Sequence, residues 1–540
     1  MHGLMMDYQL SITSIMEHAD KVYGDVEIVS VTKDIPLHRY TYKDAFKRVR
    51  QLANAFADQG LQKGDRIATL AWNDFRHFEL YYGVSCSGFV CHTINPRLHP
   101  EQIAYILNHA EDQWLFFDPL FTPIVEGVKE HLTTVKGFVV LTDKANMPEA
   151  DLPNYHNYED FIGSHPEEFD WPEIDERQAC SLCYTSGTTG NPKGVLYSHR
   201  SSLLHALAAG SSALSVNEDD VVLPIVPMFH VNAWGLTYSG PMCGAKLVLP
   251  GPKMGDGETL TKLINGEGVT FSAGVPTVWL ALVNYLDQSG EKITTLKNAL
   301  VGGAACPISV MKGMERHGVW VQGGWGMTET SPLGASNWIS DKDKASLPEA
   351  DLDKLRTRTG RKIFGVDMRI VDEEGKELPW DGESPGELQV RGPWVASSYY
   401  ALDNRSSFTD DGWFGTGDVA TIDSRGGMNI TDRTKDVIKS GGEWVSSIDV
   451  ENAAMTHPDV LEAAVIGVPS EKWTERPFLI VVPREGAEPD GKEIIKSLEG
   501  KIAKWWLPDD CVFVEELPHT ATGKVSKKDL RETFKHISLD

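Results

Sequence analysis

The chain has 540 residues and a formal net charge of −26 at pH 7. A chain of this length exceeds what one hydrophobic core serves, so two or more domains are expected. Its composition, 41% hydrophobic and 24% charged, is that of an ordinary soluble protein. The negative charge opposes non-specific binding to nucleic acid, and any polyanionic ligand must meet a local cluster of lysines and arginines.

No apolar run in the sequence approaches the roughly 18 residues needed to cross a bilayer. Residues 1–20 lack the basic and apolar regions of a secretory signal. We therefore expect a cytoplasmic protein without a membrane span. Seven scattered cysteines fit reduced thiols. Cys180 and Cys183 are interpreted as packing in a buried strand, with a redox or zinc pair as the alternative.

Amphipathic helices alternate with apolar strands along most of the first 300 residues, which predicts an α/β fold with a largely parallel sheet. Helical spacing is clear at 42–59 and 101–110. Strands are predicted at 66–72, 114–117, 221–226, 246–249, 269–273 and 298–301.

The pattern changes from about residue 359 to short strands rich in glycine and aspartate, which predict a β-rich subdomain. After residue 432 a compact α+β tail follows, with a helix near 447–456 and strands at 462–468 and 478–482. The sequence thus predicts an N-terminal domain of residues 1–432, built of layered α/β subdomains and the β-rich one. A small C-terminal α+β domain of residues 433–540 follows a tight hinge near 433–436.

The most informative segment is the loop Tyr-Thr-Ser-Gly-Thr-Thr-Gly-Asn-Pro-Lys-Gly at 184–194, directly after a predicted strand. Its hydroxyl residues and glycines would expose many N–H and O–H donors, and Lys193 would add positive charge, as a polyphosphate requires. It is not a Walker A loop, because Lys193 is followed by glycine. A polar surface loop is the alternative. The candidate phosphate-binding residues are Thr185, Ser186, Gly187, Thr188, Thr189, Gly190 and Lys193.

Three further glycine-rich segments carry candidate binding groups. In the segment 323–330, Thr328 offers a hydroxyl for a phosphate, and Glu329 offers a carboxylate for a hard cation such as Mg²⁺. The small residues at 302–305 would let the backbone approach a flat ring, although a tight turn is an equal alternative. The segment 412–418 places Asp418 at a glycine-bounded turn, where an ionised carboxylate is an acceptor for hydroxyl groups.

These segments, in this order, resemble the signatures of the adenylate-forming superfamily, which includes acyl-CoA synthetases, luciferases and peptide-synthetase adenylation domains. The resemblance covers nearly the whole chain. It implies that Thr328 contacts the α-phosphate of ATP and that Thr185 and Glu329 hold Mg²⁺. It also implies that Asp418 and Arg433 contact the ribose. The remaining positions that it assigns to ATP are Gly302, Gly303, Ala304, Trp325, Gly326, Met327, Lys435 and Lys524.

The C-terminal tail contains further matches to this superfamily. Lys524 resembles the lysine of the mobile domain that bridges the acyl carboxylate and the α-phosphate, where negative charge must be stabilised. Because Lys527 and Lys528 lie beside it, an ordinary tail lysine is the alternative. Lys435 matches the hinge about which the small domain rotates. A loop that swings inward for thioester formation is matched by Lys439, Gly441, Gly442 and Glu443.

The segment 227–235 indicates the chemical class of the acid substrate. This segment is expected to begin a helix beside the acyl pocket. Relatives that activate amino acids carry Asp where this chain has His230, so an amino acid is disfavoured. Trp234 lies one predicted helical turn from His230 and would fill or gate the pocket, or only pack in the core. Trp444 replaces an Asn that is common in relatives. The residues assigned to the acid and coenzyme A are His230, Trp234, Gly303, Gly324, Pro332, Lys439, Gly441, Gly442, Glu443 and Trp444.

These features resemble the medium- and long-chain fatty acid branch, and within it bacterial ligases for the short thioether acid 3-(methylthio)propionate. The resemblance implies an ATP-dependent acid–CoA ligase with Mg²⁺, ATP and coenzyme A, acting as a homodimer. The alternatives are a medium- or long-chain fatty acyl-CoA synthetase, an enzyme that loads a carrier protein, or an inactive ATP-binding protein. The catalytic residues implied are Thr185, His230, Glu329 and Lys524.

Overall fold

The computed structural model describes residues 1, 3–185, 191–403, 405–440, 443–520 and 524–539. Within these ranges, two large sheets and their covering helices make up the N-terminal part, and a smaller sheet makes up the C-terminal part. Parallel strands alternate with helices in the first 330 residues, and antiparallel strands follow. The α/β fold with a β-rich portion and a small C-terminal α+β portion is confirmed.

The first sheet is parallel except for its last pair of strands, which forms an antiparallel hairpin. The loop of this hairpin is the segment 185–193, so the candidate phosphate loop joins two hydrogen-bonded strands. The strands, in sheet order, are Tyr155–Asn157, Gly137–Val140, Trp114–Phe117, Arg66–Leu70, Val90–Thr93, Ala179–Tyr184 and Gly194–Ser198.

The second sheet changes from parallel to antiparallel pairing at the strand Trp320–Gly326. Ligand sites in α/β sheets form beyond the carboxyl ends of parallel strands, and this strand ends beside the antiparallel half. The order of strands is Asp367–Val371, Gly386–Arg391, Phe414–Ile422, Gly427–Arg433, Gly360–Lys362, Leu333–Ser336, Trp320–Gly326, Asn298–Val301, Phe271–Gly274, Val221–Pro224, Lys246–Leu249, Glu27–Ser30 and His38–Thr41.

The C-terminal sheet begins at Ile438, five residues after the second sheet ends at Arg433. Its long central pair of strands is covered by short helices and has its own buried cluster of aliphatic side chains. The strands are Glu443–Val445, Ile438–Ser440, Thr474–Pro483, Val460–Ser470 and Asp510–Phe513, and the helices are Ser447–Ala454, Gly491–Ser497 and Lys527–Thr533.

Helices of the N-terminal part cover both large sheets and bury the apolar faces that their spacing predicts. The helix Tyr42–Ala57 begins with a capping box formed by Thr41 and Asp44 and buries Phe46, Val49 and Phe56. The other α-helices are Ile12–Val22, Phe75–Cys86, Pro100–Ala110, Thr122–Val128, Tyr158–Gly163, His199–Ala208, Leu236–Cys243, Gly257–Glu267, Pro276–Ser289, Ile308–Arg316, Asp341–Ser346 and Glu349–Thr357.

Cys180 and Cys183 are both buried free thiols in the strand Ala179–Tyr184, which supports the packing interpretation. Burial raises the pKa of Cys180 to about 11, so this thiol is a poor nucleophile. In the part of the chain that the structure describes, no helix has both the length and the apolar character needed to cross a bilayer.

Candidate active site

A cavity of about 440 Å³ lies where the hairpin of the first sheet, the centre of the second sheet and the C-terminal tail meet. It brings together residues that are more than 300 positions apart in the chain. The candidate site residues that line it are Thr185, Lys193, His230, Trp234, Gly302, Gly303, Gly324, Trp325, Gly326, Met327, Thr328, Glu329, Pro332, Arg433, Lys435 and Lys524.

Some candidate residues lie elsewhere. Ala304 is exposed and does not line the cavity. Lys439 is exposed and forms an ion pair with Glu373, with 3.1 Å between the ammonium nitrogen and a carboxylate oxygen. Seven candidate residues lie outside the described residues: Ser186, Gly187, Thr188, Thr189, Gly190, Gly441 and Gly442. The side chains of Glu443 and Trp444 also lie outside the described part of the structure.

The ends of the phosphate-loop segment are fixed by the hairpin that carries them. The backbone N–H of Thr185 donates to the carbonyl of Lys193 over 2.9 Å, which extends the strand pairing by one step. The N–H of Lys193 lies 3.3 Å from the hydroxyl oxygen of Thr185. The ammonium of Lys193 lies 4.7 Å from the centre of the Tyr399 ring, within range of a cation–π interaction.

Glu329 is a buried carboxylate, 6% exposed, at the end of the strand Trp320–Gly326 and the short 3₁₀ turn that follows. The Tyr399 hydroxyl donates to one of its carboxylate oxygens over 2.7 Å. The neighbouring backbone is also held, because the Tyr197 hydroxyl donates to the Thr328 carbonyl over 2.6 Å. Burial of such an acid is tolerated where hydrogen bonds compensate for lost water.

Asp418 lies directly behind the cavity wall and is 3% exposed. It accepts a hydrogen bond from the indole N–H of Trp325 over 3.1 Å and forms a 2.9 Å ion pair with Arg433. The prediction that it sits in a turn is wrong. Asp418 belongs to the strand Phe414–Ile422 and pairs with Arg433 on the adjacent strand, directly after Gly417, which adopts a φ of +70°.

Lys524 is the only one of the three neighbouring tail lysines to line the cavity among the described residues. Its pKa is lowered to about 8, mainly by burial and also by the positive charge of Arg433, while the negative charges of Asp418 and Glu329 oppose the shift. Lys527 instead forms a 2.9 Å ion pair with Glu451, and Lys528 is exposed. Of these three lysines, Lys524 is therefore the one placed at the cavity.

The segment after His230 is not the right-handed helix that the sequence predicts. Val231, Asn232, Ala233 and Trp234 all have φ between +47° and +56°, and they form a left-handed turn that ends at Gly235. Left-handed backbone costs about 1–2 kcal/mol for each residue with a side chain, so tertiary contacts must maintain it. His230 and Trp234 both line the cavity, as the sequence predicts. They are brought there by the left-handed turn and not by a shared face of a right-handed helix.

Asn232 provides those contacts from the middle of the left-handed turn. Its side-chain amide donates to the Ser181 hydroxyl over 3.2 Å, and the Tyr81 hydroxyl lies 3.2 Å from its side-chain oxygen. Ser181 belongs to the strand that leads into the phosphate-loop segment. The turn is therefore bound to the same strand that positions Thr185.

The neutral imidazole of His230 and the indole of Trp234 both line the cavity. Burial lowers the pKa of His230 to about 4, and the charge of Lys524 adds to this shift. At neutral pH the imidazole therefore carries no charge. Trp234 packs against Gly302, where an added Cβ would lie 2.9 Å from the indole. The absence of a side chain at Gly302 thus leaves room for the ring of Trp234.

The residues 17–400 match the family described as AMP-binding enzyme, and residues 449–524 match the AMP-binding enzyme C-terminal domain. The chain belongs to the AMP-binding enzyme family. The resemblance to adenylate-forming enzymes is therefore confirmed.

Two curated members of the AMP-binding enzyme family match almost the full chain. It is 49% identical to the 3-methylmercaptopropionyl-CoA ligase of Ruegeria lacuscaerulensis, with 99% of each chain covered. It is 48% identical to the medium-chain-fatty-acid–CoA ligase of Ectopseudomonas oleovorans, covering 100% of this chain and 98% of the relative. The fold is similar to that of the anthranilate CoA ligase AuaEII in complex with anthranoyl-AMP, with a TM-score of 0.88, 26% identity and 98% of each chain covered.

Several cavity residues of this AMP-binding enzyme escape sequence reasoning. Tyr399 lies in a segment between strands, where no periodicity marks it. Thr416 belongs to the same glycine-rich segment as Asp418, and its backbone carbonyl accepts a hydrogen bond from Arg433 over 3.2 Å. Apolar lining residues carry no signal besides hydrophobicity. They are Leu214, Val231, Leu300, Leu333 and Phe414.

Proposed function

We propose that the chain is an ATP-dependent acid–CoA ligase that forms an acyl-adenylate and then an acyl-CoA, releasing pyrophosphate and AMP. The observation that carries this proposal is the position of Lys524, which lines one cavity with Lys193 and Glu329 and lies near Asp418. The relatives named as CoA ligases support it over the full length of the chain.

In the first step, the acid carboxylate attacks the α-phosphorus of ATP and pyrophosphate leaves. Both reactants are anions, so the protein must position them and stabilise the charge that develops on phosphorus. Lys524 contacts the carboxylate and the α-phosphate, while Lys193, Thr185 and the loop 186–190 contact the other phosphates. Asp418 accepts hydrogen bonds from the ribose hydroxyls, with Arg433 beside it.

The residues present fit a magnesium ion that arrives with the nucleotide. One oxygen of Glu329 accepts from Tyr399, and a carboxylate is a hard oxygen ligand of the kind that Mg²⁺ takes. Among the described residues, no cluster of three or more acidic, His or Cys side chains forms a metal cage. Mg²⁺ usually binds through one or two carboxylates and substrate phosphates, so Glu329 and Thr185 would hold it. When bound, it neutralises charge on the phosphates.

In the second step, the residues 433–540 rotate as a domain relative to residues 1–432, and the coenzyme A thiolate displaces AMP. Lys435 is the hinge: it lies between the last strand of the second sheet and the first strand of the C-terminal sheet. Rotation withdraws Lys524 and brings in Lys439 with the segment 441–444. The glycines of this segment leave a path for the pantetheine arm.

The acid is 3-(methylthio)propionate or another short acid. The indole of Trp234 lines the cavity and packs against Gly302, where it would limit the length of the acid. The neutral His230 offers no charge to bind an ammonium group. A medium-chain fatty acid is the second candidate, because the relative named for such acids is nearly as similar.

The experiment for this proposal is a panel of C2–C16 acids together with 3-(methylthio)propionate. AMP release is measured with and without coenzyme A. We expect coenzyme A-dependent AMP release that peaks at short acids. Release that peaks at medium chains supports the second candidate, and no release with any acid contradicts the ligase proposal. The homodimer implied by the resemblance stays a prediction, which light scattering of the purified chain would test.

A further inference from the structure

Tyr399 contacts two oppositely charged side chains that line the cavity, each in a different way. Its hydroxyl donates to the Glu329 carboxylate over 2.7 Å. The face of its ring receives the Lys193 ammonium at 4.7 Å. Tyr399 therefore joins a group proposed to bind the metal to a group proposed to bind phosphate.

The backbone around Tyr399 is held at both ends by the same two regions. The N–H of Ala396 donates to the Glu329 carbonyl, and the N–H of Tyr400 donates to the Gly194 carbonyl, each over 2.8 Å. Gly194 directly follows Lys193. The segment 396–400 thus connects the turn that carries Glu329 to the phosphate-loop hairpin. Because these contacts are made by the backbone, a substitution of the Tyr399 side chain leaves them in place.

A lysine and a glutamate in one partly dehydrated cavity attract each other strongly. A direct pair between Lys193 and Glu329 would occupy both charges before the nucleotide arrives, and the nucleotide would have to break that pair. A ring face offered to the cation and a hydroxyl offered to the carboxylate give each group a separate, weaker partner.

We propose that Tyr399 is a positioning residue that keeps Lys193 and Glu329 apart and ready for the phosphates and the metal. The proposal rests on the nucleotide site described under the proposed function. The hydroxyl orients the Glu329 carboxylate, and the ring holds the Lys193 ammonium. The two halves of the side chain therefore have separable effects.

The test is calorimetric binding of ATP to the full chain in EDTA and in Mg²⁺, for wild type, Tyr399→Phe and Tyr399→Leu. Tyr399→Phe loses only the hydroxyl, so Mg·ATP should bind about tenfold more weakly, while metal-free ATP binds as in wild type. Tyr399→Leu also loses the ring, so metal-free ATP should bind about fivefold more weakly as well.

The matched control is Tyr400→Phe, which removes the hydroxyl of the next tyrosine, a residue that does not line the cavity. Its ATP binding should equal that of wild type, and thermal unfolding should show that all three variants are folded. Equal weakening of both ATP forms in Tyr399→Phe, or no weakening in either variant, overturns the role of Tyr399. Wild type that binds no ATP overturns the nucleotide site itself, and with it this proposal.

Discussion

The two buried carboxylates at the cavity, Glu329 and Asp418, differ from the C-terminal tail that carries Lys524 in the contacts that hold them. Glu329 and Asp418 are each fixed by partners from the N-terminal part, Tyr399 for one and Trp325 for the other. Lys524 enters from the C-terminal part. Its backbone carbonyl accepts a hydrogen bond from the N–H of Thr520 over 2.7 Å.

This difference matches the chemistry proposed for each region. Binding groups for a nucleotide gain from preorganisation, because their orientation is then fixed before the reaction. A lysine that must act in one step and leave for the next gains from being attached to an element that can move. Three positions along, Lys527 instead forms an ion pair with Glu451, so these two lysines of the tail have different surroundings.

The largest effect is expected for Lys524→Ala, which removes the proposed catalytic lysine of the C-terminal part. It should lower the rate of adenylation by about 10²–10³-fold, because a preorganised electrostatic contact to the reacting phosphate is lost. Thioester formation from supplied acyl-adenylate should be largely unchanged. ATP–pyrophosphate exchange and thioester assays measure the two steps separately. Lys528→Ala, which removes an exposed charge nearby, is the control, and equal loss in both half-reactions of Lys524→Ala would refute the assigned role.

Lys435→Pro examines whether the two regions must move relative to each other. Proline fixes φ near −65° and should slow the thioester step by roughly tenfold, while adenylation changes less. Lys435→Ala removes the charge but keeps the backbone free, so it separates hinge motion from electrostatics. Stopped-flow measurement of both steps gives the answer, and an unchanged thioester step in the proline variant would remove Lys435 from the hinge.

Much of the fixed region can be predicted from the sequence, because its strands and glycine-rich segments have local signals. The strands 114–117, 246–249 and 298–301 have the predicted bounds. The left-handed turn at Asn232 cannot be predicted in this way, since contacts with Ser181 and Tyr81 maintain it. Tyr399 is missed for the same physical reason, because its partners are distant in sequence.

Trp234→Ala addresses the acid side of the cavity. Removing the indole should open the space next to Gly302 and shift the preference from short towards longer acids by roughly fivefold in relative kcat/KM. The ATP KM should stay close to that of wild type. Steady-state assays across the acid panel measure this shift, and an unchanged chain-length profile would mean that Trp234 only packs.

The pH dependence of adenylation gives the smallest effect. Lys524 must be protonated to contact two anions, and its pKa in the free protein is lowered to about 8. Since a lysine loses its charge as pH rises through its pKa, kcat/KM for ATP should fall to about half near pH 8 and continue to fall above it. In Lys524→Ala this alkaline decrease should disappear from the residual activity. A decrease that persists in the variant would assign it to another group.

The most direct test is a crystal structure of the chain with ATP and Mg²⁺ bound. The phosphates should lie against Thr185 and Lys193, the ribose should face Asp418, and the Lys524 ammonium should lie within hydrogen-bonding distance of the α-phosphate. The proposed mechanism would be contradicted by a nucleotide bound outside this cavity. It would also be contradicted if the α-phosphate were out of reach of Lys524 in every observed orientation of the C-terminal domain.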